Sequence, residues 1–208
     1  MKKTGGIILA CLLLGGCMKH YDSYESYMTH KNMPPVALKS FPHCSDYDCA
    51  TLQLANFWPR EWKRVEKQFK PKAKNAAAER EQIARAIQTM EQIIGPITGT
   101  DGDVGDTFKK TGKGQLDCVD ESTNSSVYLD LLIQQGLVRF HELRAPAARA
   151  PLLKWPHQTA VIADKKTGEH FAVDSWFNDN GGPVHIVPLA LWAQGWSPDW
   201  DDKKADEP

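Results

Sequence analysis

The chain lacks a charge excess of either sign. Its 208 residues carry 25 Lys and Arg against 26 Asp and Glu, a formal net charge of −1. No basic stripe is present, which argues against a nucleic-acid partner. No acidic block occurs before the last few residues, so an extensive solvated tail is not expected. Also missing is an apolar run long enough to cross a bilayer as a helix, which takes about 20 residues. The N-terminal run spans only Ile7 to Leu14. Cysteine is scarce, five residues in all, so each can be asked for a separate role. Trp is plentiful, with seven residues that read first as core and cleft lining and second as a binding surface.

What is there begins with Lys2 and Lys3, then the apolar run, then Gly15, Gly16 and Cys17. Positive charge, apolar core and small residues, in that order, make a cleavable secretory signal. Leu14-Gly15-Gly16-Cys17 also resembles the lipobox of bacterial lipoproteins. The resemblance implies cleavage before Cys17, a thioether-linked lipid on its sulfur and acylation of the new amine. Two or three acyl chains anchor stably where one does not. Met18 in place of Asp after the cysteine resembles the outer-membrane-sorted class of two-membrane bacteria. The expected organisation is a signal peptide over 1–16, a lipidated tether over 17–40, a domain over 41–200 and a polar tail over 201–208. The location expected is the cell envelope, on the periplasmic face, with the membrane as a partner through the anchor. About 190 residues remain after cleavage, enough for one domain with its own core.

Cys11 leaves with the signal and Cys17 takes lipid, which leaves Cys44, Cys49 and Cys118. In an oxidising compartment Cys44 and Cys49 are expected to pair across Cys-Ser-Asp-Tyr-Asp-Cys, stapling an irregular N-terminal segment. A metal site from His43, Cys44 and Cys49 is the alternative, and it lacks a fourth ligand. Cys118 is then the odd thiol, which must be buried or used.

Residues 18 to 40 show no periodicity. Pro59 opens a helix with Trp62, Val65, Glu66 and Phe69 near helical spacing, ended by Pro71. Residues 75–94 form the clearest helix, with Ile83, Ile87, Met90 and Ile94 on one stripe and Gly95-Pro96 as its stop. Residues 97–114 read as a Gly-rich loop. A second long helix runs from about Cys118 to Gln135, with Gly136 as its C-cap. Strands follow at 137–143, 157–163, 169–177 and 184–187, with a hairpin turn at Lys165-Lys166-Thr167-Gly168. Helices first and antiparallel strands after make an α+β domain.

Cys118 stands at the start of a helix, His157 at the start of a strand and Asp174 in the next strand. If residue 163 pairs with 170, His157 lies opposite about residue 176, and Asp174 is one diagonal step away, within side-chain reach. The three types complement one another in acyl transfer. A helix N-terminus and an imidazolium favour the thiolate, and the carboxylate fixes the imidazole tautomer. The helix N-terminal amides offer oxyanion donors. Each residue also has a plain structural reading: a small core thiol, a hydrogen-bonded histidine, a carboxylate on a backbone amide.

The stretch Gly114-Gln115-Leu116-Asp117-Cys118-Val119-Asp120 resembles the nucleophile segment of the transglutaminase-like cysteine superfamily, and of its bacterial transglutaminase-like cysteine proteinases in particular. Pro156-His157-Gln158-Thr159-Ala160-Val161 and Val173-Asp174-Ser175-Trp176 resemble its His and Asp strands. The likeness spans about residues 80 to 192. It implies a papain-like fold, a helix bearing the nucleophile packed on an antiparallel sheet. Cys118, His157 and Asp174 would be nucleophile, base and orienter, acting on peptide or amide bonds of an envelope protein. Leu116 interrupts the family's Gly-Asp-Cys triplet, and Ser-Thr-Asn-Ser-Ser at 122–126 makes the first turns unusually polar. Gln115 and Trp155 are the candidate side-chain oxyanion donors. No cofactor is expected. Some members of the bacterial group bind calcium through acidic residues, which makes Asp117, Asp120 and Glu121 the candidates here, against the plainer reading of a solvated acidic helix start. The competing reading is a non-catalytic envelope lipoprotein whose Trp155, Trp176, Trp192 and Trp196 line a recognition groove. A third is a peptidoglycan-directed amidase or peptidase with a second histidine, His170 or His185.

Overall fold

The computed structural model describes residues 21–107, 112–150 and 156–199. Its elements run α1 (Tyr24–His30), β1 (Phe41–Ser45), β2 (Thr51–Ala55), α2 (Pro59–Lys67), α3 (Ala76–Thr98), α4 (Cys118–Gln134), β3 (His141–Arg149), β4 (His157–Asp164), β5 (His170–Asp174), β6 (His185–Pro188) and α5 (Leu189–Ala193). The last four strands form one antiparallel sheet in the order β3-β4-β5-β6, and β1 and β2 form a separate hairpin. The class is α+β, with antiparallel sheets throughout.

Periodicity explains the helices. Ile83, Ile87, Met90 and Ile94 of α3 are all fully buried, as are Val127, Leu131 and Leu132 of α4. They meet Ala160 and Ile162 of β4 and Phe171 and Val173 of β5 in a single core. α4 is the central element, packed on β4 on one side and on β1 on the other.

The polar first turns of α4 are buried rather than solvated. Ser122, Thr123, Asn124, Ser125 and Ser126 are each no more than 2 % exposed. Burial of polar groups is tolerable only when they are bonded, and these are. Asn124 accepts from Cys44 N at 2.7 Å and donates to Cys44 O at 3.0 Å, clasping β1 as a neighbouring strand would. Ser122 accepts from Gln158 Nε2 at 2.7 Å. Ser126 Oγ donates to Ser122 O at 2.7 Å, and Ser125 and Ser175 hydroxyls pair at 3.3 Å.

Three boundaries differ from expectation. The segment assigned to the tether contains α1, capped by Ser23, with Tyr24, Tyr27 and Met28 buried. The Tyr27 hydroxyl bonds Thr123 of α4 at 2.6 Å, so this segment belongs to the domain. α3 runs through Gly95-Pro96 to Thr98, because Pro96 removes only one donor. Gly99, at φ +77°, closes the helix instead, its N–H on Gly95 O at 2.8 Å. The first strand of the sheet starts at His141 rather than 137. Residues 139–141 are first tied to α3, where the buried Glu79 carboxylate accepts from Arg139, Phe140 and His141 N–H groups at 2.7, 2.8 and 3.1 Å. Among the described residues no helix is long and apolar enough to cross a membrane. The signal, Cys17 and the polar tail from residue 201 lie outside the described residues.

Candidate active site

Cys118 is the first residue of α4 and its thiol is free. Asp117 is the N-cap, accepting from Val119 and Asp120 N–H groups at 3.0 and 2.9 Å. Asp120 returns the bond, accepting from Asp117 N at 3.2 Å. This reciprocal capping fixes where α4 begins and hence where the thiol sits.

The turn between β1 and β2 locks the same two carboxylates from outside. Asp46, Tyr47, Asp48 and Cys49 all have positive φ, 67°, 71°, 51° and 56°. A run of left-handed non-glycine residues is costly unless the surroundings impose it. Here Tyr47 N and Cys49 N donate to Asp120 at 2.9 and 2.7 Å, and Asp48 N donates to Asp117 at 3.1 Å. Cys44 and Cys49 are joined as a disulfide across this turn, so their sulfurs are not free to bind metal. The third member of the suggested metal set, His43, is buried between Thr100 Oγ1 (3.3 Å) and Tyr128 OH (3.4 Å). Asp46 receives Gly114 N at 2.8 Å. Gly114 must be glycine, since its φ is +76° and a Cβ would stand 1.9 Å from Gly99 O.

His157 begins β4 and Asp174 ends β5. The hairpin register is Ala163↔His170 through Ala160↔Val173, as the turn at 165–168 implies. His157 Nε2 meets Asp174 Oδ2 at 2.8 Å, with both side chains buried. Trp192 of α5 donates its Nε1–H to the same Oδ2 at 2.7 Å. The imidazole is enclosed by Trp176, Phe177 and Trp192, at ring distances of 4.7, 5.4 and 5.5 Å. Nε2 facing a carboxylate is the protonated nitrogen. Nδ1 then carries the lone pair, and it is buried with no hydrogen-bond partner among the described residues.

Cys118 and His157 line one cleft of about 270 Å³, together with Pro156, Gln158, Tyr21 and Tyr27. The Gln158 backbone N–H is aimed at the Cys118 sulfur, and Cys118's own N–H also favours its thiolate. Burial nevertheless pushes the thiol up to about 12, and the carboxylates of Asp117 and Asp174 push the same way. Burial outweighs the favourable field expected of the helix N-terminus, and the acidic cap adds to the effect of burial. A larger hollow of about 700 Å³, bounded by Phe57, Trp58 and Trp62, is lined by no thiol, hydroxyl or imidazole.

Sequence reasoning missed one role and one residue. One is the role of Trp192, suggested only as groove lining, which shares the carboxylate with the imidazole. The other is Arg149, which pairs with His157 across β3 and β4. Its guanidinium lies 4.3 Å over the Trp192 ring and bonds the carbonyls of Trp192 and Trp196. An arginine at the strand end opposite His157 was the available signal. Of the suggested oxyanion donors, Gln115 is otherwise engaged: its Nε2 donates to Gly102 O at 2.9 Å and its Oε1 accepts from Val104 N at 3.4 Å. Trp155 lies outside the described residues. The calcium candidates do not fit a cation. All four oxygens of Asp117 and Asp120 already accept backbone N–H groups. Glu121 faces elsewhere, accepting from Ser175 Oγ at 2.6 Å. His170 is exposed at the start of β5, and His185 faces Asn178 at 3.0 Å.

Fold and site together define an α+β domain with a carboxylate-oriented imidazole and a lone thiol in one cleft. Comparison with family models, curated proteins and solved structures finds no match for this chain.

Proposed function

We propose that the chain is a lipid-anchored envelope thiol hydrolase that cleaves peptide or amide bonds with Cys118, His157 and Asp174, on a papain-like arrangement of helix and sheet. One observation carries the reading. His157 is held by Asp174 through Nε2, which leaves Nδ1 buried and without a hydrogen-bond partner among the described residues, on a residue that lines the same cleft as Cys118. That lone pair has no structural role among the described residues, whereas a general base requires one.

The raised thiol selects the route. Cys118 rests protonated, so no thiolate–imidazolium pair is stored in advance. As the sulfur bonds to the substrate carbonyl carbon, its proton passes to His157 Nδ1. The resulting oxyanion meets the Cys118 N–H, the first-turn amide that Asp117 does not take. When the C–N bond breaks, Nδ1 returns the proton to the leaving amine. Water then attacks the thioester, gives a proton to Nδ1, and the C–S bond breaks as the thiol recovers it. Asp174 stabilises the charged ring in both halves, and Trp192 keeps that carboxylate in place.

The test is N-terminal mapping of envelope proteins in cells carrying Cys118→Ala or His157→Gln. Loss of the same cuts in both variants supports the reading, and unchanged processing in both overturns it. A non-catalytic binding module is the second reading, favoured by the raised thiol. It predicts that neither substitution alters any envelope cleavage product.

A further inference from the structure

Tyr21 lies on the cleft wall. Its ring stands edge-on to Tyr27 at 5.0 Å. Tyr27 lines the same cleft, bonds Thr123 of the nucleophile helix at 2.6 Å and accepts from Gln158 Nε2 at 3.2 Å. The point at which the chain joins the domain is therefore fixed beside Cys118 and His157. A second hollow of about 330 Å³ shares Tyr21 and Ala148 with the cleft and continues it along β3. The charges on the lip are paired, Lys31 Nζ to Asp48 at 2.5 Å.

Tyr21 stands only four positions after Cys17 in the chain. At 3.3–3.6 Å per residue, even a fully extended connection reaches only about 14 Å. A lipid on Cys17 places that residue at the headgroup boundary, so the Tyr21 edge of the cleft stands within about 14 Å of the bilayer. We propose that the active cleft is held at the membrane surface and takes as substrate the juxtamembrane stem of another membrane-anchored protein, a chain emerging from the same bilayer. This rests on the hydrolase reading and on acylation of Cys17. A chain emerging from the same bilayer is held at that height, whereas a soluble envelope protein reaches it only by diffusion.

The full acylated protein is reconstituted in phosphatidylethanolamine–phosphatidylglycerol vesicles, with a donor dye on Ala148→Cys in a Cys118→Ser background and an acceptor dye on lipid headgroups. Energy transfer is compared with that of a form carrying 20 Gly-Ser residues inserted between Met18 and Lys19. Such a linker adds about 25 Å of mean reach, so transfer is expected to fall at least twofold. Lys31→Cys, on the opposite lip, gives a second donor position. Equal transfer with and without the linker at both positions overturns the placement, as does a mature N-terminus that mass spectrometry shows to be unacylated. This readout does not depend on catalysis, so it stands or falls separately from the hydrolase reading. In cells, Cys118-dependent cuts are expected in the stems of anchored proteins and are expected to be lost on linker insertion. Cuts in soluble envelope proteins that survive the insertion overturn the substrate class.

Discussion

Alkylation of Cys118 tests the resting state of the site most directly. With Cys44 and Cys49 in a disulfide, it is the single free thiol among the described residues. At pH 8 a thiol near 12 is ionised about once in 10⁴ molecules, against roughly a quarter for an unperturbed thiol near 8.5, a deficit of about 2,000-fold. A more basic thiolate is intrinsically more nucleophilic, with a Brønsted slope of about 0.4–0.5. Over this interval that returns roughly 40-fold. Iodoacetamide should therefore react about 50-fold more slowly than with free cysteine at pH 8. The rate, followed by mass spectrometry, should climb about tenfold per pH unit through pH 10 without levelling. Asp117→Asn removes a negative neighbour and should accelerate the reaction. His157→Gln should leave the resting profile nearly unchanged while abolishing cleavage, since the imidazole acts only once substrate is present. A plateau below pH 7, lost in His157→Gln, would show a stored ion pair and refute this reasoning.

Three further outcomes are expected. Asp174→Asn keeps the side chain's size but removes the charge that supports the imidazolium; on the proposed mechanism kcat should fall on the order of 10⁴-fold, with KM little changed, and an unchanged kcat would remove Asp174 from the mechanism. Trp192→Phe deletes one donor to a buried carboxylate while keeping the ring over His157, and urea titration should show a loss of about 1.5–3 kcal/mol; a loss below about 0.5 kcal/mol would mean that the bond does not hold Asp174. Glu91 is buried, which pushes its carboxyl up to about 8, with Asp103 adding to the effect. The folded state thus keeps a proton that the unfolded chain releases above about 4.5, so stability should fall as pH rises from about 4.5 to 8. Glu91→Gln should flatten that slope in urea titrations at pH 5 and pH 8, and an identical slope in both proteins would refute the assignment.

The hairpin was legible because a turn fixes register: with 163 opposite 170, Asp174 had to come near His157. The α3 stripe was legible because apolar residues at helical spacing report burial directly. The burial of residues 122–126 was not legible for the same reason. Periodicity records apolar burial, and Asn124 is buried by bonding to the backbone of Cys44, 80 residues away. α1 went unseen because seven residues are too few to show a period. Trp192 was noticed as a tryptophan but not as a donor to Asp174, since nothing local to a five-residue helix says which carboxylate its indole meets. The thiol went against expectation chiefly because it is buried, which nothing in the local sequence reports. Asp117, the cap, adds a negative charge of its own.

The left-handed turn at 46–49 limits how this chain can vary. Its main-chain amides reach two acids that bracket Cys118, so adding or deleting one residue there would shift the lip of the cleft and the helix start together. Replacements at 46, 47 and 48 are confined to residues that tolerate positive φ, chiefly Asn, Asp and Gly. Related sequences should hold the interval between the paired cysteines fixed and keep both acids beside the thiol, even where the rest of the surface has diverged.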